Sequence, residues 1–212
     1  MKSLDDRHSE VPGNYYETSV KTNLFQRFWH HRRFEEVGSL ISTLSPTRVL
    51  DVGSHGGTFT SYMHSLLPRA KFTAIDLSAD AIYYGEKKYP FIQFITARAE
   101  KIPFTSGSFD LVTCLEVLEH VEHPQLVIGQ IKRVLKKDGD VVLLVPTENI
   151  LFVCIWFLWT KLGNGRVWHH THVQKFRGYS LDHLLERNGF TVVRRQTFLL
   201  NMLLLIHAKK SN

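Results

Sequence analysis

Short apolar segments alternate with amphipathic segments along most of this chain. Runs of four to seven mostly apolar residues are too short for ordinary helices and are typical of buried strands. A pair of longer runs near the end of the chain is typical of a hairpin. The predicted strands are Arg48–Val52, Phe72–Ile75, Ile92–Thr96, Phe109–Leu115, Asp140–Leu144, Thr191–Thr197 and Leu203–Lys209.

Helices are predicted before and between these strands. Ser78 is a typical N-cap residue, and Pro90 ends the helix that Ser78 begins. Asn23 to Leu44 predicts one or two helices with their apolar residues inward, namely Leu24, Phe28, Phe34, Val37, Leu40 and Ile41. The other predicted helices are Thr58–Leu67, Ala79–Tyr89, Pro124–Leu135 and Ser180–Asn188. Strands that alternate with helices imply an α/β fold, with a mostly parallel sheet and helices on both of its faces.

Two segments depart from this alternation. Residues 1–20 are polar with a Pro-Gly turn, and we expect a mobile arm without a targeting signal. Residues 147–179 form an insertion whose first half, Ile150–Trp159, holds ten consecutive apolar residues. Since a bilayer-spanning helix needs about 20 residues, this run does not span a membrane. It predicts a core or oligomer helix, a lid over a hydrophobic substrate, or a peripheral membrane contact.

Composition places the chain among ordinary globular proteins. Its 212 residues fit a single domain (1–212). Within it, residues 1–44 are expected to form an N-terminal arm and helices, and the insertion 147–179 is expected to cover the substrate side of a ligand site. Cys114 and Cys154 have no metal or redox spacing, so we expect free buried thiols in a reducing, cytoplasmic setting. The net charge of +6 suits an anionic substrate, an anionic membrane or RNA, but the basic residues are scattered or paired. Oligomeric state cannot be deduced from the sequence.

A glycine-rich turn carries the strongest chemical signal. Asp51-Val-Gly-Ser-His-Gly-Gly57 follows the first predicted strand and precedes a helix. Such a turn lets a backbone approach a ligand without a Cβ in the way, and the helix N-terminus offers free N–H groups. Asp76 ends the second strand, 25 residues after Asp51, where an acid can accept hydrogen bonds from both hydroxyls of a ribose. The match to the dinucleotide fingerprint is poor, because His55 and Thr58 occupy two of its glycine positions.

Further motifs follow in a fixed order, and together they resemble one enzyme family. The turn itself is similar to the D-x-G-x-G-x-G signature, with His55 in place of the middle glycine. The later motifs are Ala97–Phe104, Gly107–Val112, Leu115–Val121, Arg133–Gly139 and Val141–Pro146. Residues 45–146 thus resemble class I S-adenosylmethionine-dependent methyltransferases, in the group that includes the ubiquinone and menaquinone biosynthesis enzymes. The resemblance implies a Rossmann-like, doubly wound, mostly parallel seven-stranded sheet.

The resemblance also implies a cofactor-binding set. The backbone around Gly53 to Gly57 is expected to approach the amino acid part of S-adenosylmethionine, Asp76 to hold the ribose, and Leu77 to pack on the adenine. Ala99 and Glu100 are expected beside the adenine edge, although this chain has Arg98 where relatives often have an acid. Leu115 and Glu116 are expected near the sulfur. The full set is Asp51, Gly53, Ser54, His55, Gly57, Asp76, Leu77, Ala99, Glu100, Leu115 and Glu116.

The candidates for catalysis are histidines. Trp168-His-His-Thr-His172 precedes the last predicted helix, and His169, His170 or His172 could deprotonate an acceptor hydroxyl; an ordered loop with a structural role is the equal alternative. His120 is a further candidate. Glu116, Glu119 and His120 have the spacing of one helical face. We expect no bound metal. The alternative is a metal ion held by Glu116, Glu119 and His120, with a further ligand from residues 168–172.

These features favour a methyltransferase that acts on a small or lipid-like acceptor at oxygen or carbon. An RNA 2′-O-methyltransferase is the runner-up, but the insertion is apolar rather than basic, so we do not expect a nucleic acid partner. From another class, a cofactor-binding subunit without activity remains open, and His55 is its only indication. Tyr15, Tyr16, His30, His31 and Arg33 could cap the cofactor or simply pack between helices.

Overall fold

The computed structural model describes residues 11–162 and 172–211, and its centre is one seven-stranded sheet. The strand order is β3-β2-β1-β4-β5-β7-β6. Only β7 runs antiparallel to its neighbours, β5 and β6, so the sheet is mostly parallel as the sequence predicts. The strands are β1 Arg48–Val52, β2 Lys71–Asp76, β3 Gln93–Thr96, β4 Phe109–Leu115, β5 Leu135–Pro146, β6 Phe190–Phe198 and β7 Leu203–Lys210.

Helices cover both faces of the sheet and bury two apolar cores. One core packs α2, α3 and α4 on one face, and the other packs α5 and α7 on the opposite face. A single turn of 3-10 helix, Leu118–His120, follows β4. The helices are α1 Tyr15–Thr22, α2 Leu24–Ile41, α3 Thr58–Leu66, α4 Ala79–Lys88, α5 Pro124–Val134, α6 Ile150–Leu162 and α7 Ser180–Arg187.

Local signals in the sequence explain several of these boundaries. The backbone N–H of Ala81 donates to Ser78 Oγ, which confirms the predicted N-cap of α4. Pro124 occupies the first turn of α5, where its missing N–H costs nothing. The strand after α5 begins earlier than predicted. It starts at Leu135, because the Asp138-Gly139 pair sits within β5, with Asp138 at a φ of 59°.

The structure corrects three sequence predictions. Residues 11–20 are not an arm: Val11 is buried and α1 begins at Tyr15. Leu24 and Phe28 face solvent rather than the core, at 84% and 56% exposure, although Val37, Leu40 and Ile41 are buried as predicted. Cys114 is buried but Cys154, on α6, is exposed. Periodicity finds the apolar face of a helix, but it does not show where along the helix the core ends.

The topology places three strand ends side by side. Val52 of β1 pairs in register with Ile75 of β2 on one side and with Cys114 of β4 on the other. The loops after β1, β2 and β4 therefore meet at one edge of the sheet, where ligands bind in open α/β folds. The insertion, with α6, leaves from the same edge after β5. Within the described residues, no helix is long and apolar enough to cross a membrane.

Candidate functional site

A cavity of about 560 Å³ opens at this edge of the sheet. Its walls come from α1, α2, the loops after β1, β2, β3 and β4, helix α6 and His172. The predicted cofactor and catalytic residues in its lining are Gly53, His55, Asp76, Leu77, Ala99, Glu100, Glu116, His120 and His172. Glu119 of the alternative metal set and the possible cap residues Tyr15, Tyr16, His30 and Arg33 also line it. One cavity therefore brings together members of the predicted cofactor set and of the predicted catalytic set.

The glycine turn is held in place by the carboxylate of Asp76. The backbone N–H of His55 donates to Asp76 Oδ2 at 2.8 Å, and the N–H of Ser78 donates to Oδ1 at 2.9 Å. Gly53 has a φ of 76°, and a Cβ there would lie 2.1 Å from Val117 Cγ2. Only glycine fits both restraints. Each Asp76 oxygen has a further lone pair, which remains available to a ligand in the cavity.

His55 has a φ of 48°, a left-handed conformation in which glycine would be less strained. Its imidazole is buried and packs edge-on against the ring of Tyr16, with centroids 5.3 Å apart. Burial lowers the pKa of His55, so the ring is neutral at pH 7. The side chain thus closes the turn side of the cavity, a contact that a glycine would not make.

Four residues of the predicted cofactor set lie away from the main cavity. Asp51, Ser54 and Leu115 line a separate space of about 40 Å³ behind the turn. Asp51 accepts hydrogen bonds from Thr60 Oγ1 (2.5 Å) and Thr113 Oγ1 (2.7 Å) and so ties α3 to the sheet. Burial raises its pKa to about 6. Gly57 has a φ of 77°, and a Cβ there would lie 2.4 Å from the ring of Phe94.

Two charged residues form the wall nearest to α2. The Arg33 guanidinium, buried on α2, pairs with the carboxylate of Glu116 and also bonds His30 Nδ1 at 3.0 Å. Burial, with the Arg33 charge, lowers the pKa of His30 to about 3. Within the described part of the chain, three buried nitrogens here have no hydrogen-bond partner: Arg33 Nε, His30 Nε2 and His55 Nδ1. Buried polar atoms without partners are costly, so such a cluster beside a cavity indicates a polar ligand.

Another part of the cavity lining is mostly apolar. Leu77, Ala97 and Ala99 line it together with Ile75. Glu100 and Arg98 lie at its rim, with Arg98 Nη2 3.6 Å from Glu100 Oε1. Small apolar side chains next to a carboxylate suit a planar base that carries an exocyclic amino group.

The apolar side of the cavity is built by α6 and by the described residues from His172 onward. Phe152, Ile155 and Trp156 of α6 line the cavity. The ring of His172 lies 4.4 Å from that of Trp156. Its position is fixed by the backbone, since the N–H groups of Val173 and Gln174 both donate to the carbonyl of Glu119. His172 Nδ1 lies 2.6 Å from Glu148 Oε1, and both side chains are mostly buried.

Three of the cavity residues could hold a metal ion. Donor atoms of Glu119, His120 and His172 lie within 4.8 Å of one another. This set differs from the alternative metal set of the sequence, because Glu116 is paired with Arg33 instead. Burial, followed by the nearby charge of Glu116, raises the pKa of Glu119 well above its usual range. Glu119 Oε2 is buried without a hydrogen-bond partner among the described residues.

Sequence reasoning missed Glu148 entirely. It stands alone after Pro146-Thr147 and belongs to no recognised motif. Its position was nevertheless a usable signal, because it follows the carboxyl end of β5, as Glu116 follows that of β4. His169 and His170 lie outside the described residues.

Comparison with known proteins gives a consistent result. A family model described as a methyltransferase domain matches residues 28–195. The demethylmenaquinone methyltransferase of Renibacterium salmoninarum is 31% identical over 144 residues, covering 66% of this chain and 60% of that protein. The ubiquinone biosynthesis O-methyltransferase of Xanthomonas oryzae pv. oryzae is 36% identical over 105 residues, covering 47% of this chain and 43% of that protein. The chain thus spans about half the length of the curated relatives it matches.

Solved structures share the fold. The magnesium protoporphyrin IX methyltransferase of Synechocystis PCC 6803, with bound SAH, superposes with a TM-score of 0.75 at 16% identity, and the match covers 98% of each chain. The predicted seven-stranded Rossmann-like architecture is therefore confirmed.

Proposed function

The chain belongs to the methyltransferase domain family, and on this premise we propose that it transfers a methyl group from S-adenosylmethionine to a small, apolar, quinone-like acceptor. One observation carries the proposal. A single cavity joins a polar half, built on the glycine turn and Asp76, to an apolar half that ends in His172 and Glu148.

The polar half fits the cofactor. The Asp76 carboxylate suits the ribose hydroxyls, and Leu77 and Ala99 suit the flat faces of adenine. Arg33 Nε, buried without a partner among the described residues, suits the carboxylate of the methionine part. Because His55 Nε2 donates to the carbonyl of Val11, His55 Nδ1 is an acceptor and suits the amino group instead. The acids in the lining suit its amino group and the positive sulfur. Glu116 is expected to lie near that sulfur, since it follows the carboxyl end of β4.

The apolar half provides an acceptor site and a base. When bound, the cofactor supplies a methyl group on a positively charged sulfur. Because a carboxylate only accepts hydrogen bonds, Glu148 fixes the proton of neutral His172 on Nδ1 and leaves Nε2 free to accept one. His172 would take the proton of an acceptor hydroxyl, or of an acidic C–H, while the methyl group passes from the sulfur to the acceptor and a neutral thioether leaves.

Phe152, Ile155 and Trp156 would hold an apolar acceptor against this base and keep water away from the reaction. The curated relatives support this acceptor class, since their names refer to menaquinone and ubiquinone biosynthesis. The cavity offers less to an RNA chain. Arg33 and Arg98, the arginines in its described lining, are both paired with acids. Among the described residues, no aromatic side chains interleave with a basic stripe.

A direct experiment is cofactor calorimetry followed by a turnover assay with methyl-labelled S-adenosylmethionine. The acceptor panel should contain hydroxylated and demethylated quinones with short side chains, catechols and a short RNA duplex. Saturable cofactor binding with label transfer to a quinone or catechol supports the proposal. Transfer to RNA alone would replace the acceptor class, and binding without transfer to any acceptor would favour a partner subunit without activity.

A further inference from the structure

Three neighbouring segments leave an apolar surface exposed at the mouth of the site. They are the start of α2, the outer face of α6 and the turn between β6 and β7. We call this the outer apolar surface, and it holds most of the exposed large apolar side chains in the described part of the chain. Its members are Leu24, Phe28, Ile150, Leu151, Val153, Phe157, Leu158 and Leu200.

Contacts between the segments hold them together. The rings of Trp29 on α2 and Phe152 on α6 lie 6.3 Å apart. The amide of Asn149, just before α6, donates to the carbonyls of Leu200 (3.1 Å) and Asn201 (3.0 Å) in the turn. The Asn149 side-chain oxygen also accepts from the N–H of Phe152 and so caps the helix. The exposure of this surface therefore belongs to an ordered arrangement of three elements.

The charges on these segments have one sign. The stretch 24–34, helix α6 and residues 198–202 contain no Asp or Glu. Arg27, exposed beside Leu24 and Phe28, and Lys161, exposed in the last turn of α6, are basic. The acid nearest in sequence to α6 is Glu148, which is buried and bonded to His172. An apolar surface with basic residues and without acidic ones complements an anionic lipid headgroup layer.

Helix α6 has an inner face toward the cavity and an outer face toward solvent. Phe152, Ile155 and Trp156 face the cavity, and Val153, Phe157 and Leu158 face outward. Its 13 residues span about 20 Å, so it is too short to cross a bilayer but long enough to lie in the plane of one. One helix thickness therefore separates the outer apolar surface from the acceptor side of the cavity.

We propose that the outer apolar surface docks on an anionic lipid bilayer, so that a lipophilic acceptor passes from the membrane into the cavity along α6. The second part of this inference rests on the proposed function; the docking itself does not. A second copy of the chain fits less well, because a symmetric pairing through this surface would bring Arg27 and Lys161 against like charges.

Vesicle co-sedimentation tests the docking without cofactor or acceptor. Vesicles of phosphatidylcholine with one third phosphatidylglycerol are compared with pure phosphatidylcholine, at low and high salt. We expect the wild type to bind the anionic vesicles and to lose affinity as salt rises. Phe157→Ser with Leu158→Ser removes two outer side chains without emptying the core, and should lower the partition coefficient about tenfold or more. Arg27→Gln with Lys161→Gln should reduce the preference for anionic vesicles.

Matched controls distinguish binding through this surface from nonspecific adsorption to vesicles. Tyr83→Ser removes an exposed aromatic ring of similar exposure (62%) from α4, and should bind vesicles like the wild type. Melting curves and cofactor calorimetry should be the same for all variants, so a failure of the proposed methyl transfer leaves the docking result readable. Size-exclusion with light scattering is run on each protein.

The proposal is overturned if the wild type ignores anionic vesicles, or if Phe157→Ser with Leu158→Ser binds them as tightly as the wild type. Self-association that this double variant abolishes, with unchanged vesicle binding, would assign the surface to a second copy of the chain. If docking holds, the double variant should keep its turnover of a water-soluble acceptor and lose turnover of a long-chain acceptor presented in vesicles.

Discussion

His172 and Glu148 lie 24 positions apart in the chain, and their side chains meet with Nδ1 and Oε1 separated by 2.6 Å. Neither residue is placed by a local motif. Glu148 follows the carboxyl end of β5, and His172 returns to it after α6. The pair orients one imidazole nitrogen and so determines which nitrogen can act as a base.

We expect His172→Ala to lower kcat by about 10²-fold or more, the usual contribution of a positioned general base. Glu148→Gln should lower kcat, because a neutral amide stabilises the imidazolium that forms during the reaction less than a carboxylate does. Steady-state kinetics and cofactor calorimetry, with cofactor affinity unchanged, check both expectations. The double variant should be no slower than the worse single variant, since the two side chains act as a unit.

Matched histidines control for this prediction. His123→Ala removes another imidazole from the cavity lining, and His169→Ala and His170→Ala remove neighbours in the same tract. We expect smaller effects from all three. A larger loss at His169 or His170 than at His172 would move the base to that residue.

Asp76→Ala should weaken S-adenosylmethionine binding by about 1.5–3 kcal/mol, the scale of hydrogen bonds to a charged group. Part of the loss is indirect, because Asp76 also accepts the N–H of His55 and holds the glycine turn. Calorimetry is the measurement, with Asp80→Ala, an exposed acid in the first turn of α4, as the control. Wild-type affinity in a folded Asp76→Ala protein would remove this assignment.

Substitutions on the two faces of α6 should have different effects on the kinetics. Ile155→Ser and Trp156→Ser alter the inner face and should raise KM for the acceptor or abolish turnover, while cofactor affinity stays near the wild-type value. Leu158→Ser, on the outer face, should leave KM for a water-soluble acceptor unchanged. Equal kinetics for inner and outer variants would make α6 a packing element rather than an acceptor wall. Trp159 belongs to the same predicted apolar run, and its side chain lies outside the described residues.

The free energy of unfolding should fall in mild acid because His30 is buried in its neutral form. Burial, with the Arg33 charge, lowers its folded pKa to about 3 from an ordinary 6.5, so the unfolded chain binds the extra proton first as pH falls. The stabilisation is complete above pH 6.5 and is lost between 6.5 and 3. Urea unfolding between pH 7 and 4.5 should give a free energy that falls more steeply in the wild type than in His30→Gln. The difference in slope should reach at most about 1.4 kcal/mol per pH unit.

His31→Gln, at an exposed neighbouring position, controls for the substitution itself. Parallel curves for wild type and His30→Gln would show that His30 does not carry this proton linkage.

Metal removal tests whether Glu119, His120 and His172 hold a metal ion that the reaction needs. If His172 is the base, dialysis against EDTA should leave turnover unchanged, because a metal-bound imidazole nitrogen cannot also take a proton. Added Mg²⁺, Mn²⁺ or Zn²⁺ should then not stimulate the enzyme. A loss of activity on dialysis that one of these ions restores would replace the base with a metal-assisted mechanism.

The sequence by itself determined the order of elements and the polar half of the site. Strand periods, the Ser78 cap and the acids at strand ends are local features, and parallel pairing brings strand ends to one edge of a sheet. Gly53, Asp76 and Leu77 were therefore predictable as neighbours in the lining of one cavity. The cytoplasmic setting and the single-domain organisation stay predictions.

Only the tertiary structure decided which polar residues meet across the insertion. Glu116 was expected beside Glu119 and His120, but the buried cation of Arg33 pairs with its carboxylate. His172, from the tract expected to complete the set, lies beside the other two residues. The exposure of Leu24 and Phe28 and the pairing of Glu148 with His172 likewise depend on how α2, α6 and β5 pack. Sequence periodicity records the preference of each element for one face, whereas long-range pairs form only where packing brings two such faces together.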